Sequence, residues 1–196
     1  ATALVALLAS DHQLLAVLLA PALLNAAPSR VVCLSSVGHR RSPFHADDPH
    51  FEHRPYDPWS AYGQSKTGNA LLAVALTDRL GFRGVHANSV HPGGIMTNLQ
   101  RHMDPDLPRQ MGWVDEDGNV NPRFKTPEQG AATTVWAAVG AELEGVGGLY
   151  LEDCHEAERT EEPNSMVGVR DYALDPEAAA ALWDLCERTH GAALPR

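Results

Sequence analysis

Trp59-Ser60-Ala61-Tyr62-Gly63-Gln64-Ser65-Lys66 opens a segment that carries apolar residues at Leu71, Leu72, Ala75, Leu76 and Leu80 and stops at Gly81. That spacing predicts a helix over 62–80, closed by a glycine just past its last turn. On such a helix Tyr62 and Lys66 stand four apart and project from one face. A phenol titrates near pH ~10, and a neighbouring ammonium favours the phenolate. Bringing the phenol near neutrality takes roughly 3 units, or about 4 kcal/mol of differential stabilisation. A phenol so tuned can give or take a proton at an alcohol or carbonyl oxygen. Taken alone, the pair also reads as a surface tyrosine and a solvated lysine one turn apart. The flanking segments turn the reading toward chemistry.

Upstream, Arg30-Val31-Val32-Cys33-Leu34-Ser35-Ser36 is a short apolar run ending in two hydroxyls. It predicts a buried parallel strand over 31–35 with Ser36 at its carboxyl end, where open α/β sheets place their ligands. Ser35 would take the place of Ser36 only in a shifted register. Downstream, Val85-His86-Ala87-Asn88-Ser89-Val90 predicts a second strand, followed by the turn His91-Pro92-Gly93-Gly94-Ile95-Met96-Thr97. Gly148-Leu149-Tyr150-Leu151 predicts a third. Helical patterns separate these strands, so all three should pair in parallel.

A strand ending in Ser, a helix with Tyr-x-x-x-Lys and a strand ending in Pro-Gly, in this order, resemble the short-chain dehydrogenase/reductase family over roughly residues 12–190. Ser-Ser-Val-Gly-His, the long insert before Tyr62 and Ser-Val-His-Pro-Gly-Gly-Ile-Met-Thr resemble its retinol dehydrogenase-like branch. The resemblance implies an α/β chain: the C-terminal part of a Rossmann-like, doubly wound parallel sheet flanked by helices. It implies NAD or NADP as cofactor and a small alcohol or carbonyl as substrate. Tyr62 would be the general acid/base. Lys66 would lower its pKa and hold the nicotinamide ribose. Ser36 would hydrogen-bond the substrate oxygen, and Tyr62, Lys66, Pro92, Gly93 and Thr97 would meet the cofactor. Taken without the family, Ser36 and Pro92-Gly93 read as turn residues and Thr97 as a helix cap, while Asn88 and Ser89 read as packing residues.

Two departures accompany the resemblance. The family usually places a catalytic Asn four residues before the histidine that matches His12, and this chain has Leu8 there. The family also opens with a Gly-rich strand-turn-helix that seats the pyrophosphate. The cluster Gly145-Val146-Gly147-Gly148 precedes a strand instead of following one and reads as a turn. Residues 1–196 are therefore expected to be a single dehydrogenase domain that is incomplete at its N-terminus. A non-catalytic remnant acting as an interaction or structural module is the alternative.

The net charge of -10 disfavours nucleic acid and anionic membrane as partners. Asp11 and His12 interrupt the apolar N-terminal run, so no membrane span is expected. Cys33, Cys154 and Cys186 are scattered and odd in number, which argues for a reducing cytoplasm and no disulfide framework. His39, His45, His50 and His53 fall in the polar stretch 37–59 without regular spacing; that reads as a solvated loop beside the substrate, and no metal is expected. Helices are expected over 11–26, from a Thr126-Pro127-Glu128-Gln129 capping box to about Val139, and from Asp175-Pro176-Glu177 to just before Gly191. Between them, 98–125 reads as a mobile loop over the active site and 152–173 as an acidic loop. In the family, helices matching 11–26 and 62–80 often form a dimer face, so a homodimer through them is expected.

Overall fold

The computed structural model describes residues 3–163 and 165–195, without the side chains of residues 3–8, 99 and 102. Helix α1 (Ala3–Asn25) leads into strand β1 (Ser29–Leu34) and a 3-10 turn, Val37–Arg41. Helix α2 (Pro58–Leu80) and strand β2 (Val85–His91) follow, then a short helix α3 (Leu107–Gln110) and helix α4 (Pro127–Val139). Strands β3 (Tyr150–Glu152) and β4 (His155–Glu156) and helix α5 (Pro176–His190) complete the order. The sheet runs β1-β2-β3-β4. As expected, β1, β2 and β3 are parallel, with Leu34 opposite Val90 and His91 opposite Glu152. The two-residue β4 adds an antiparallel edge through a tight turn at Asp153-Cys154, both at positive φ.

Strand alternation divides the core between the two faces. Val31, Cys33, Val85 and Ala87 pack with Val17, Leu71, Leu72, Leu76, Leu80, Leu182 and Trp183, the layer of α1, α2 and α5. Val32, Val90 and Leu151 face the other way, onto Trp136 and Ala137 of α4. Asp57 caps α2 by accepting from Ser60 N at 2.7 Å, with Pro58 in the first turn. Thr126 and Gln129 form the expected capping box of α4, and Gly191 at φ 65 closes α5.

α1 begins earlier than position 11, and α2 begins at Pro58, four residues before Tyr62. The expected dimer face changes more. The whole 62–80 stripe is enclosed within the chain, because α1, α5 and the sheet all pack on α2. Of these two helices, α1 keeps an open apolar face, with Leu15, Leu18 and Leu19 exposed. The polar stretch 37–59 is also more ordered than its composition suggests. Asp48 accepts the amide hydrogens of Glu52, His53 and Arg54 and pairs with the Arg54 guanidinium. Gln64 of α2 fastens the same loop through Pro49 O at 2.8 Å. Asn88 and Ser89 do more than pack: Asn88 donates to Val146 O and accepts from Leu149 N, while Ser89 Oγ donates to Leu149 O. No helix among the described residues is long and apolar enough to cross a membrane.

Candidate active site

The carboxyl ends of the parallel strands carry the expected residues. At the end of β1 the two serines divide their work. Ser35 continues the ladder by donating its amide to Val90 O at 2.8 Å, and its buried hydroxyl donates to the Lys66 carbonyl at 2.8 Å. It ties β1 to α2 and is not open to a ligand. Ser36 is extended, at φ -167 and ψ 156, and caps the 3-10 turn by accepting from Gly38 N at 3.1 Å. The strand register thus leaves Ser36, as expected, as the hydroxyl at the strand end.

Tyr62 lies against Gly38. A Cβ on Gly38 would meet Tyr62 Cε1, stand 2.8 Å from Tyr62 Cδ1 and 3.4 Å from Ser36 Oγ. The absent side chain therefore makes the space in which the ring and the serine hydroxyl approach one another. Gly63 plays the reciprocal part on α2: a Cβ there would stand 2.8 Å from the Gly38 carbonyl. One turn along α2, Lys66 Nζ is 5.6 Å from the Tyr62 ring centroid and donates to Leu34 O at 3.5 Å. Burial holds the Lys66 pKa below the ordinary lysine value, since the ammonium has given up water.

His91 joins the ends of β1 and β2. Its Nδ1 accepts from Val37 N at 3.2 Å and from Gly93 N at 3.4 Å. Burial, aided by Lys125, pushes its pKa down to about 4, so the ring is neutral and keeps this acceptor. Gly93 sits at φ 94, a conformation that favours glycine. The Lys125 stem fills the space beside it, with Cε 2.8 Å from where a Cβ would stand, and the Lys125 ammonium pairs with Asp153 past the end of β3. Thr97 is exposed and turned toward Gln100, whose Oε1 accepts from the Thr97 amide at 2.9 Å and its hydroxyl at 3.4 Å. Ser36, Tyr62, Lys66 and the Pro92-Gly93 turn thus gather beyond the carboxyl ends of β1 and β2; Thr97 lies further on, just before the 3-10 turn Asn98–His102.

His39 corrects the reading of a solvated histidine loop. It is fully buried behind Ser36 and Gly38. Its Nδ1 lies 2.8 Å from Ser36 O and 3.1 Å from the Tyr150 hydroxyl, and its Nε2 accepts from Arg170 N at 3.2 Å. An Nε2 that accepts an amide hydrogen carries no proton, so Nδ1 is the donor to the Ser36 carbonyl. Burial, opposed by the Ser36 hydrogen bond, brings the His39 pKa down to about 4. Its own carbonyl accepts from the Tyr172 hydroxyl at 2.9 Å and from Thr67 Oγ1 at 3.1 Å. Arg40 and Arg170 extend this support by donating to the carbonyls of Thr160, Glu162, Ser165 and Val167, which order the loop expected to be merely acidic. The one sequence signal for His39 was its place in Ser-Ser-Val-Gly-His; no periodicity marked it as buried.

Among the described residues no group of three His, Cys, Asp or Glu side chains is placed to hold a metal ion. No family model matches the chain. Curated proteins do. It is 48% identical over 176 residues to a "Probable oxidoreductase" of Streptomyces lividans, covering 88% of this chain and 59% of the relative. It is 43% identical over 179 residues to "Short-chain dehydrogenase/reductase prx1" of Penicillium roqueforti, covering 89% of this chain and 52% of the relative. It is 35% identical over 181 residues to "Retinol dehydrogenase 14" of Homo sapiens, covering 90% of this chain and 48% of the relative. A crystal structure of an uncharacterized protein from Mycobacterium Paratuberculosis superposes with a TM-score of 0.55 at 27% identity, covering 85% of this chain and 52% of that one. The chain thus spans between 48% and 59% of the length of these curated relatives.

Proposed function

Since the chain belongs to the short-chain dehydrogenase/reductase family, with a retinol dehydrogenase among its relatives, we propose that it carries the catalytic portion of an NAD- or NADP-dependent oxidoreductase interconverting an alcohol and a carbonyl. The observation that carries the reading is the convergence of Ser36 and Tyr62 on the side-chain-free face of Gly38, with Lys66 one helical turn away. The nicotinamide cofactor supplies or accepts hydride when bound. The residues present fit its nicotinamide end: a half-buried lysine whose hydrogen bond to Leu34 O is long, beside a Pro-Gly turn at the strand ends where α/β sheets hold ligands.

In this reading Ser36 donates to the substrate oxygen and stabilises charge gathering there. Tyr62 exchanges a proton with that oxygen, as acid in reduction and as base in oxidation. Lys66 favours the phenolate by its charge and offers N–H groups to ribose hydroxyls. Pro92 and Gly93 present backbone to the carboxamide end of the cofactor, and Thr97 adds a contact beyond the turn. His39 and His91, kept neutral, hold the backbone on which Ser36 and Gly93 sit. Residues 1–196 act as one domain. A homodimer is proposed through α1 alone, because α2 is enclosed. Three free cysteines, two of them buried, accord with a reducing, cytoplasmic setting.

The test is turnover of a panel of alcohols and carbonyls with both cofactors, by a protein carrying this chain, before and after Tyr62→Phe. The variant keeps the ring and removes the proton donor. Turnover should fall at least about a hundredfold, the scale of general acid–base catalysis, while cofactor affinity holds. Turnover near the parent value would reject the assignment.

A further inference from the structure

One carbonyl at the end of β1 serves two donors from α2. Leu34 O accepts from Asn69 Nδ2 at 2.7 Å and, at 3.5 Å, from Lys66 Nζ. Lys66 and Asn69 are three apart, on one face of the helix. Asn69 is itself oriented from α1, because its Oδ1 lies 3.1 Å from His12 Nδ1. The amide nitrogen of Asn69 is committed to Leu34, so Oδ1 is the acceptor and His12 donates from Nδ1. At 1% exposure, Asn69 would be costly to bury without both partners. An apolar residue would fill such a site at less risk, so the amide calls for a reason beyond packing.

We propose that Asn69, oriented by His12, is a positioning residue for Lys66. A half-buried ammonium that has given up part of its water seeks a short, charge-assisted bond of about 2.8 Å. Leu34 O is the carbonyl within its reach, and Asn69 already holds that oxygen at close range. The Asn69 amide holds the near approach to that oxygen and weakens its pull on a second donor, so Lys66 keeps the longer contact and its remaining N–H groups stay directed toward Tyr62 and a ligand. Without Asn69 the ammonium closes on Leu34 and withdraws from the site. Among the described residues, the groups recorded near Lys66 are the Tyr62 ring on its own helix, the Leu34 carbonyl on β1 and, through Asn69, His12 on α1. Among the described residues no carboxylate forms an ion pair with it. This role rests on the reading of Lys66 as the partner of Tyr62.

Lys66 and Lys125 are the only lysines in the sequence, which makes the test direct. Carbon-13 labelling of lysine gives two side-chain signals, and Lys125→Arg assigns them. In Asn69→Ala, Lys66 can shorten its long bond to the Leu34 carbonyl, so its titration midpoint should rise by about 1 unit, the worth of one hydrogen bond to a charged group. His12→Ala should move it the same way by less, His12→Gln should restore it by supplying a donor, and Lys125 should not move. A Lys66 midpoint unchanged in both alanine variants overturns the proposal. If Asn69→Ala does not fold, an unchanged midpoint in His12→Ala alone does so. The measurement needs no turnover. A shifted Lys66 in a protein without dehydrogenase activity would keep the positioning role and reject the catalytic one.

Discussion

Gly38 and Tyr62 touch across the junction of β1 and α2 so closely that a methyl group on Gly38 would overlap the Tyr62 ring at Cε1 and Cδ1. The tyrosine's place is thus set by an absence on another element as much as by its own helix. Gly38→Ala should push the ring away from Ser36 and cost about 1–3 kcal/mol, as overpacking does. Thermal melting reads the stability, and turnover should fall in step with the displacement. A variant that melts and turns over like the parent would mean that the ring moves aside freely.

Tyr62→Phe and Lys66→Ala should differ in kind. The first removes only a proton donor, so turnover collapses and cofactor affinity stays. The second removes both a charge beside the phenol and donors to the ribose, so both quantities fall. Separate kcat and KM values for the cofactor distinguish them. Equal effects on KM would show that Lys66 does not meet the ribose.

Acid should loosen the fold through two histidines. His39 and His91 have folded-state pKa values near 4, against 6.5 unperturbed. Between those values the unfolded chain binds more protons than the folded one, so stability rises with pH across that window and levels off above pH 6.5. Each histidine contributes at most about 3 kcal/mol. Urea unfolding at pH 7 and pH 5 should show the loss, and a flat profile would mean that neither ring is buried neutral.

Asp48→Ala should leave the core intact and release the loop before α2. Its carboxylate, held below the ordinary value by the amides of Arg54, Glu52 and His53 despite burial, gathers three consecutive N–H groups that no other side chain replaces. Hydrogen exchange at residues 52–54 should accelerate, while β2 stays protected. Unchanged exchange there would show that Pro49 and Gln64 suffice to hold the loop.

The 196-residue chain by itself should bind NAD(H) and NADP(H) more weakly than about 1 mM, corresponding to only about 4 kcal/mol. The contacts on offer lie at the nicotinamide end, and no strand in this sequence leads through a Gly-rich turn straight into a helix that would seat a pyrophosphate. Titration calorimetry with both cofactors measures this; micromolar binding would show that other residues hold the phosphates.

The strand, helix and turn order was legible in the sequence because each element is encoded locally. Val31 to Leu34 is a short apolar run and Val85 to Val90 carries apolar residues at both ends and its middle, and both form parallel strands, although only β2 is buried along most of its length while Leu34 of β1 stays exposed. Thr126-Pro127 and Asp175-Pro176 announce helix starts by capping chemistry, and Tyr62 and Lys66 share a face through helical spacing alone, whereas the cap at Asp57-Pro58 starts α2 ahead of the expected 62–80. Tertiary structure decided what pairs distant positions. His39 reads as one polar residue among many until Tyr150, Tyr172 and Arg170, more than a hundred positions away, close around it. Asn69 becomes a partner of Lys66 only when α1 brings His12 and β1 brings Leu34. The apolar stripe of 62–80 could have faced a second subunit or this chain's own α1 and α5, since burial has no address in the stripe itself; only packing shows that it is enclosed here. Spacing along one element fixes a direction in space, whereas a neutral buried histidine or an occupied carbonyl depends on which elements meet.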